Sequence, residues 1–324
     1  MPDQTTEKFY ESQVRECELA KERIENSLRE AAKKSEKQVH AIDAVDFINM
    51  NLPPKDPILE GLVYTQDLIE IFAARGVGKT LFSMQVGIHI AAGRDFLKWK
   101  NTGAKKVLYI DGEMPGGLLQ SRIKQALEYG HINEDDIRGR FKILTPDLHG
   151  TQLNLAQNAN QLLIDSDVEW ADVIMLDSFL TLFSYGKIND YESCIPLNDY
   201  LKSLRTRNKI VIFIHHAGKG GAQLGSVGKE IILDTVIQLK PRESESTELV
   251  LSFTKGRSLK ESEKRPVLLT LNDCGWSLKN YAIEDQILEL VESTDMKQVA
   301  IAQELDVSQS TVSRTLKRLG ITRR

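Results

Sequence analysis

The chain has 324 residues, enough for one substantial core and a smaller appendage, and its 41% hydrophobic and 27% charged residues are ordinary for a folded water-soluble protein. A net charge of -4 excludes a generally basic nucleic-acid coat, so any DNA contact has to be local. No run of about 18 apolar residues occurs, and the polar start Met1-Pro2-Asp3 lacks the features of a signal peptide, so a cytoplasmic protein with no membrane partner is expected.

From about Thr5 to Val39 the chain is rich in Glu, Lys, Arg and Ala, without Gly or Pro, which predicts one long charged helix. Tyr10, Val14, Cys17, Ile24, Leu28 and Ala31 give it a narrow apolar stripe suited to a subunit contact. Asn51 to Asp56, with Pro53, Pro54 and then Pro57, marks a linker. The three cysteines, Cys17, Cys194 and Cys274, are scattered and suggest neither a disulfide framework nor a metal site.

Beyond the linker, short apolar runs alternate with amphipathic segments: strands at 68–74, 107–110, 173–176 and 210–214, and helices at 81–92, 118–129 and 195–205. Such alternation predicts an α/β fold with a mostly parallel sheet covered on both faces. Three consecutive strand-like runs, 231–239, 247–254 and 266–271, predict an antiparallel extension. The expected domains are residues 1–50, 51–280 and 281–324.

Ala73-Ala74-Arg75-Gly76-Val77-Gly78-Lys79-Thr80 fits the phosphate-loop pattern G-x-x-x-x-G-K-[ST], with Ala for the first Gly. Gly76 and Gly78 let successive N–H groups curl around a β-phosphate at a helix N-terminus. Lys79 is placed to bridge β- and γ-phosphates, and the Thr80 hydroxyl to ligate Mg²⁺, so ATP and Mg²⁺ are the expected ligands. The strand at 107–110 ends in Asp111-Gly112-Glu113. Glu113 is a candidate to polarise the attacking water, with Asp111 as its rival. The next strand ends in Asp177, a candidate Mg²⁺-associated carboxylate, and the last in His215-His216, of which one is a candidate γ-phosphate sensor.

These residues, with Ile174 to Ser178, Ile212 to Lys219, Gly225-Ser226 and Leu233 to Val236, resemble the RecA-like P-loop ATPases, in the AAA-type, RepA-like branch of hexameric replicative helicases. The resemblance runs from about Leu52 to Leu278. It implies Glu113 as catalytic glutamate, Asp177 as the Mg²⁺-linked aspartate and His216 as the γ-phosphate sensor. Phe253-Thr254-Lys255-Gly256-Arg257 is similar to the K-x-R of ring-forming relatives, which implies Arg257 as an arginine finger acting on a neighbouring subunit, with Lys255 assisting. The loops 185–192 and 217–228 correspond to segments that meet single-stranded DNA, and Lys187, Lys219 and Lys229 are the cations available there. One departure stands out: Leu224 occupies a position where relatives carry Arg.

From Ile283 onward the chain reads as three helices, with Ser308 a good N-cap for the third. Val299, Ala302, Leu305, Val312, Leu316 and Leu319 are the expected apolar faces of a helix-turn-helix, similar to that of winged-helix regulators. From Gln309 to Arg324 there are five basic residues and no acidic one. Gln309, Ser310, Thr311 and Ser313 are candidates for base edges, and Arg314, Lys317 and Arg318 for phosphates. Three functions remain open at this point: a DNA-translocating ring, expected to be a hexamer, that replicates a plasmid, phage or mobile element; a regulatory or loading ATPase that assembles on DNA without unwinding it; or a small-molecule kinase using the same loop, against which the helix-turn-helix argues.

Overall fold

A computed structural model of the chain describes residues 40–183, 195–217, 231–242, 247–273 and 275–321. The charged stretch 5–39, the three cysteines, and Lys187, Lys219, Leu224 and Lys229 lie outside the described residues. The chain divides into two units, Met1–Pro53 and Pro54–Arg324. In the first, α1 (Ala44–Ile48) starts where the Asp43 carboxylate accepts the Val45 N–H at 2.8 Å.

The second unit opens with a small antiparallel ribbon, β1 (Pro57–Leu59) and β2 (Val63–Tyr64). A nine-stranded sheet follows. It comprises β3 (Leu68–Ala73), β4 (Val107–Asp111), β5 (Phe141–Leu144), β6 (Val173–Asp177), β7 (Ile210–His216), β8 (Thr235–Pro241), β9 (Glu248–Gly256), β10 (Val267–Asn272) and β11 (Gly275–Lys279). Their spatial order is β11-β10-β9-β8-β3-β7-β6-β4-β5. Strands β8 through β5 of that order are mutually parallel, and β9, β10 and β11 are antiparallel additions, so the sheet is a mixed α/β core of the RecA-like P-loop type.

Side chains alternate across the sheet, as the period of two requires. Ile69, Ile71 and Ala73 of β3 enter one core with Tyr109, Met175 and Ile212. That core is covered by α2 (Lys79–Ala92) and α3 (Gly116–Gly130). Leu68 and Phe72 face the other way, with Ile110, Leu176 and Phe213. There α7 (Asp165–Trp170), α8 (Phe179–Leu182) and α9 (Ile195–Thr206) cover the sheet, while the short α4 (Glu134–Ile137), α5 (Pro146–His149) and α6 (Asn158–Leu163) fill the connections.

Two expectations shift. The run at 231–239 becomes strand only from Thr235, because Asp234 turns its carboxylate back to accept the Leu68 N–H at 3.0 Å and an Arg205 N–H at 2.7 Å. The edge strand β5 was not anticipated: only one of its sides is paired, and its residues are half-buried or exposed, so they carry a weak apolar signal.

The C-terminal helices are α10 (Ile283–Ser293), α11 (Gln298–Glu304) and α12 (Gln309–Arg318). They close a small core of Ile287, Ile301, Ala302, Leu305, Val312 and Leu316. Val299 and Leu319, expected on the apolar faces, are exposed, because Ile301 and Ile287 take the central places. Ion pairs Arg242–Asp285 and Arg265–Asp306 tie these helices to the sheet's antiparallel side.

Candidate nucleotide site

Buried β3 delivers the chain at Ala73 to an exposed turn through Ala74, Arg75 and Gly76, which passes half-buried Val77 and Gly78 and enters α2 at Lys79. Gly76 and Gly78 sit at φ +79° and +89°, the left-handed region that glycine occupies without strain. Gly78 is the N-cap and has no side chain to offer, so the first-turn N–H groups of α2 stay available to an anion. Lys79 is buried. Burial holds its ammonium below the ordinary pKa, against the raising pull of Asp177 and Glu113.

Three more parallel strands end at the same edge of the sheet. Ala73 of β3 lies beside His216 of β7, and Asp177 of β6 beside Asp111 of β4. Asp177 is buried, which raises its carboxyl above the ordinary range although hydrogen bonds from Tyr109 and Thr80 lower it. The Tyr109 hydroxyl donates to Asp177 Oδ2 at 2.6 Å. The peptide bond between Asp177 and Ser178 is cis.

Asp111 and Glu113 have different surroundings. Asp111 is fully buried, and its Oδ2 accepts the N–H groups of Glu113 at 3.3 Å and Met114 at 3.0 Å, so it shapes the turn that carries Glu113. Burial pushes its carboxyl up to about 6. The Glu113 side chain is half exposed, with its Oε2 accepting the Ser178 hydroxyl at 3.1 Å and lying 3.7 Å from His216 Nε2. Burial, then the Lys79 charge, lowers the His216 pKa, which favours a neutral imidazole, while Glu113 opposes the shift. His215 points to the opposite face, where its Nδ1 lies 3.4 Å from Glu70 Oε1, both side chains being fully buried.

The structure thus gathers Lys79, Thr80, Glu113, Asp177 and His216 within one crevice. Ser178, inside the stretch 174–178 that carries the resemblance, and Tyr109 join them, and the sequence assigns a role to neither. Arg257 and Lys255 lie elsewhere. Gly256 ends β9 opposite Thr235, and the Arg257 N–H donates to the Asp234 carbonyl, which places Arg257 at the sheet edge where β3 begins. The six residues of β3 separate that edge from the phosphate loop by roughly 17 Å. The Arg257 guanidinium is exposed and donates to the Ile231 carbonyl at 3.0 Å, while Lys255 is half-buried beside Val236.

In the C-terminal helices, Ser308 caps α12 by accepting the Thr311 N–H at 3.1 Å. Gln309, Ser310, Ser313, Arg314 and Lys317 are exposed. Thr311 is half-buried with its hydroxyl on Ser308, and Arg318 is paired with Glu284 of α10, so these two are engaged within the module.

The donor set suits a Mg²⁺-bound nucleotide. The Thr80 hydroxyl and the Asp177 carboxylate adjoin one another and offer the oxygen ligands this ion prefers, and the buried Asp177 charge calls for a cation. Among the described residues no group of three or more His, Cys, Asp or Glu side chains could hold a metal, and no helix is long and apolar enough to cross a membrane. No curated protein matches the chain. A model of the AAA domain family (AAA_25) matches residues 33–222, more than half of the chain, and takes in the phosphate loop and the strand ends bearing Glu113, Asp177 and His216. The chain therefore belongs to the AAA domain family of P-loop ATPases.

Proposed function

We propose that this protein is an ATP-hydrolysing, DNA-binding motor that works as a ring, a hexamer of the RepA-like helicase kind, in the replication of a plasmid, phage or other mobile element. The observation that carries this reading is the position of Arg257, at the opposite edge of the sheet from its own phosphate loop. An arginine there serves a γ-phosphate only across a subunit boundary, and such a finger contributes about 10³–10⁵ in rate. Exposed Gln309, Ser310, Ser313, Arg314 and Lys317 on α12 support a duplex contact by the C-terminal helix-turn-helix, and Lys187, Lys219 and Lys229 are the proposed contacts to single-stranded DNA.

Hydrolysis follows from the chain's own groups. The α2 N-terminus and Lys79 hold the β- and γ-phosphates. Glu113, held by Ser178 and facing His216, takes a proton from the attacking water as the water oxygen bonds to the γ-phosphorus. The bond from that phosphorus to the β–γ bridging oxygen breaks, giving ADP and phosphate. Thr80 and Asp177 would hold Mg²⁺, which neutralises phosphate charge when bound. His216 is placed to sense the γ-phosphate and relay its presence to the segment that follows.

The test combines mass measurement with and without ATP, ATPase activity with and without single-stranded DNA, and strand separation on a forked duplex. ATP-dependent separation supports the motor. A monomeric ATPase indifferent to DNA would sink it. Leu224, in place of the relatives' Arg, favours a second reading, a loading or regulatory ATPase. ATPase activity with DNA binding and no separation would select that reading.

A further inference from the structure

We infer that Trp276 is a positioning residue of the nucleotide site, bracing the phosphate loop from a strand that lies beyond the matched domain. Trp276 belongs to β11, paired with Leu271 of β10, and is buried. Its Cζ2 and Cη2 lie 3.3 and 3.5 Å from the place a Cβ on Gly78 would occupy. Phe82, in the first turns of α2, meets the same indole edge to face at 5.9 Å and 83°. Among the described residues nothing comparable stands at Gly76, where the corresponding position is open for 4 Å. The loop therefore has a wall at one glycine and free space at the other.

The walled glycine is the one that matters for phosphate. Gly78 caps α2, and its φ of +89° decides where the N–H groups of Lys79 and Thr80 point. A glycine left to itself samples many backbone states. A large flat ring against it removes part of that freedom before any ligand arrives, and a preorganised site binds more tightly because less ordering accompanies binding. The indole Nε1–H has no acceptor among the described residues, so ring contact rather than a hydrogen bond holds Trp276 in place.

This inference rests on the loop being a nucleotide site. ATP binding to the full-length chain, followed with a fluorescent ATP analogue, tests that reading by itself, and absence of binding in the wild type would overturn both. For the brace, Trp276→Ala is expected to weaken ATP binding and raise KM on the order of 10-fold while kcat stays within about twofold, the pattern of lost ground-state binding. Trp276→Phe, which keeps a ring against Gly78, is expected to recover most of the affinity. Intrinsic emission of the wild type should change on adding ATP, and that change should vanish in Trp276→Phe. Wild-type affinity in a folded Trp276→Ala protein overturns the brace. So does an emission response that survives Trp276→Phe or is absent from an ATP-binding wild type. If Trp276→Ala does not fold, the emission comparison decides.

Discussion

Ser178 donates its hydroxyl to Glu113 across 3.1 Å, joining the ends of β6 and β4 at the carboxylate proposed to activate water. Glu113 is otherwise half exposed, so this bond limits where its carboxylate points. Ser178→Ala is expected to lower kcat by roughly 10-fold with KM for ATP nearly unchanged, and Glu113→Gln to lower kcat by about 10²–10⁴ with nucleotide affinity retained. Steady-state ATPase kinetics check both. Wild-type turnover in Glu113→Gln would remove Glu113 from the chemistry.

Tyr109 is completely buried and supplies one of the hydrogen bonds to Asp177. Tyr109→Phe leaves a buried carboxylate oxygen short of a donor, which should destabilise the protein by about 1–3 kcal/mol. Urea unfolding measures this directly, and an unchanged midpoint would mean that another group satisfies Asp177.

Asp111 predicts a pH dependence whose sign is unusual for a carboxylate. Its folded pKa, about 6, is above the ordinary value of 3.8, so ionisation is harder in the folded state than in the unfolded one. The stability associated with this group is full below about 4 and is lost as the pH rises through about 6. Asp111→Asn keeps an oxygen acceptor for the Glu113 and Met114 N–H groups without the charge. At pH 8 it should be more stable than the wild type by up to about 3 kcal/mol, and at pH 4 the two should nearly coincide. Thermal melts at the two values decide, and equal stability at both would refute the costly ionised state.

Arg257 offers a test that needs no structure of an assembly. Lys79→Ala should lack nucleotide-driven turnover, and Arg257→Ala should lose on the order of 10³ in rate if the finger is real. Mixed together, the two variants form some sites that pair an intact phosphate loop with an intact arginine. Recovered ATPase activity in the mixture, absent from either variant alone, is the expected result. An additive, inactive mixture would remove the cross-subunit role.

Much of the site was legible because it depends on local pattern. Gly76 and Gly78 between an apolar run and a helix, Asp177 after four apolar residues, and Ser308 before α12 each follow from a few neighbouring residues. The relationships that tune the site were not legible. Tyr109 reads as one more apolar strand residue until β4 is set beside β6, and Trp276 reads as a core aromatic until β11 is brought against Gly78. The contrast between Asp111, buried at the end of β4, and Glu113, half exposed two residues later, likewise appears only in the folded chain. Val299 misled for the converse reason: a helix of seven residues has room for few inward positions, and Ile301 and Ala302 of α11, with Leu305 just after it, fill the core.

The place of β8 beside β3 has a practical consequence. The matched domain ends at residue 222, before β8, yet Thr235 to Leu239 pair with Ile69 to Ala73 along the strand that leads into the phosphate loop. A fragment stopped at residue 222 would turn that central strand into a bare edge, largely apolar and with a row of unsatisfied amides. Such an edge recruits other chains, and aggregation is its usual fate. The last third of the polypeptide is therefore also the cover that keeps the matched domain dispersed.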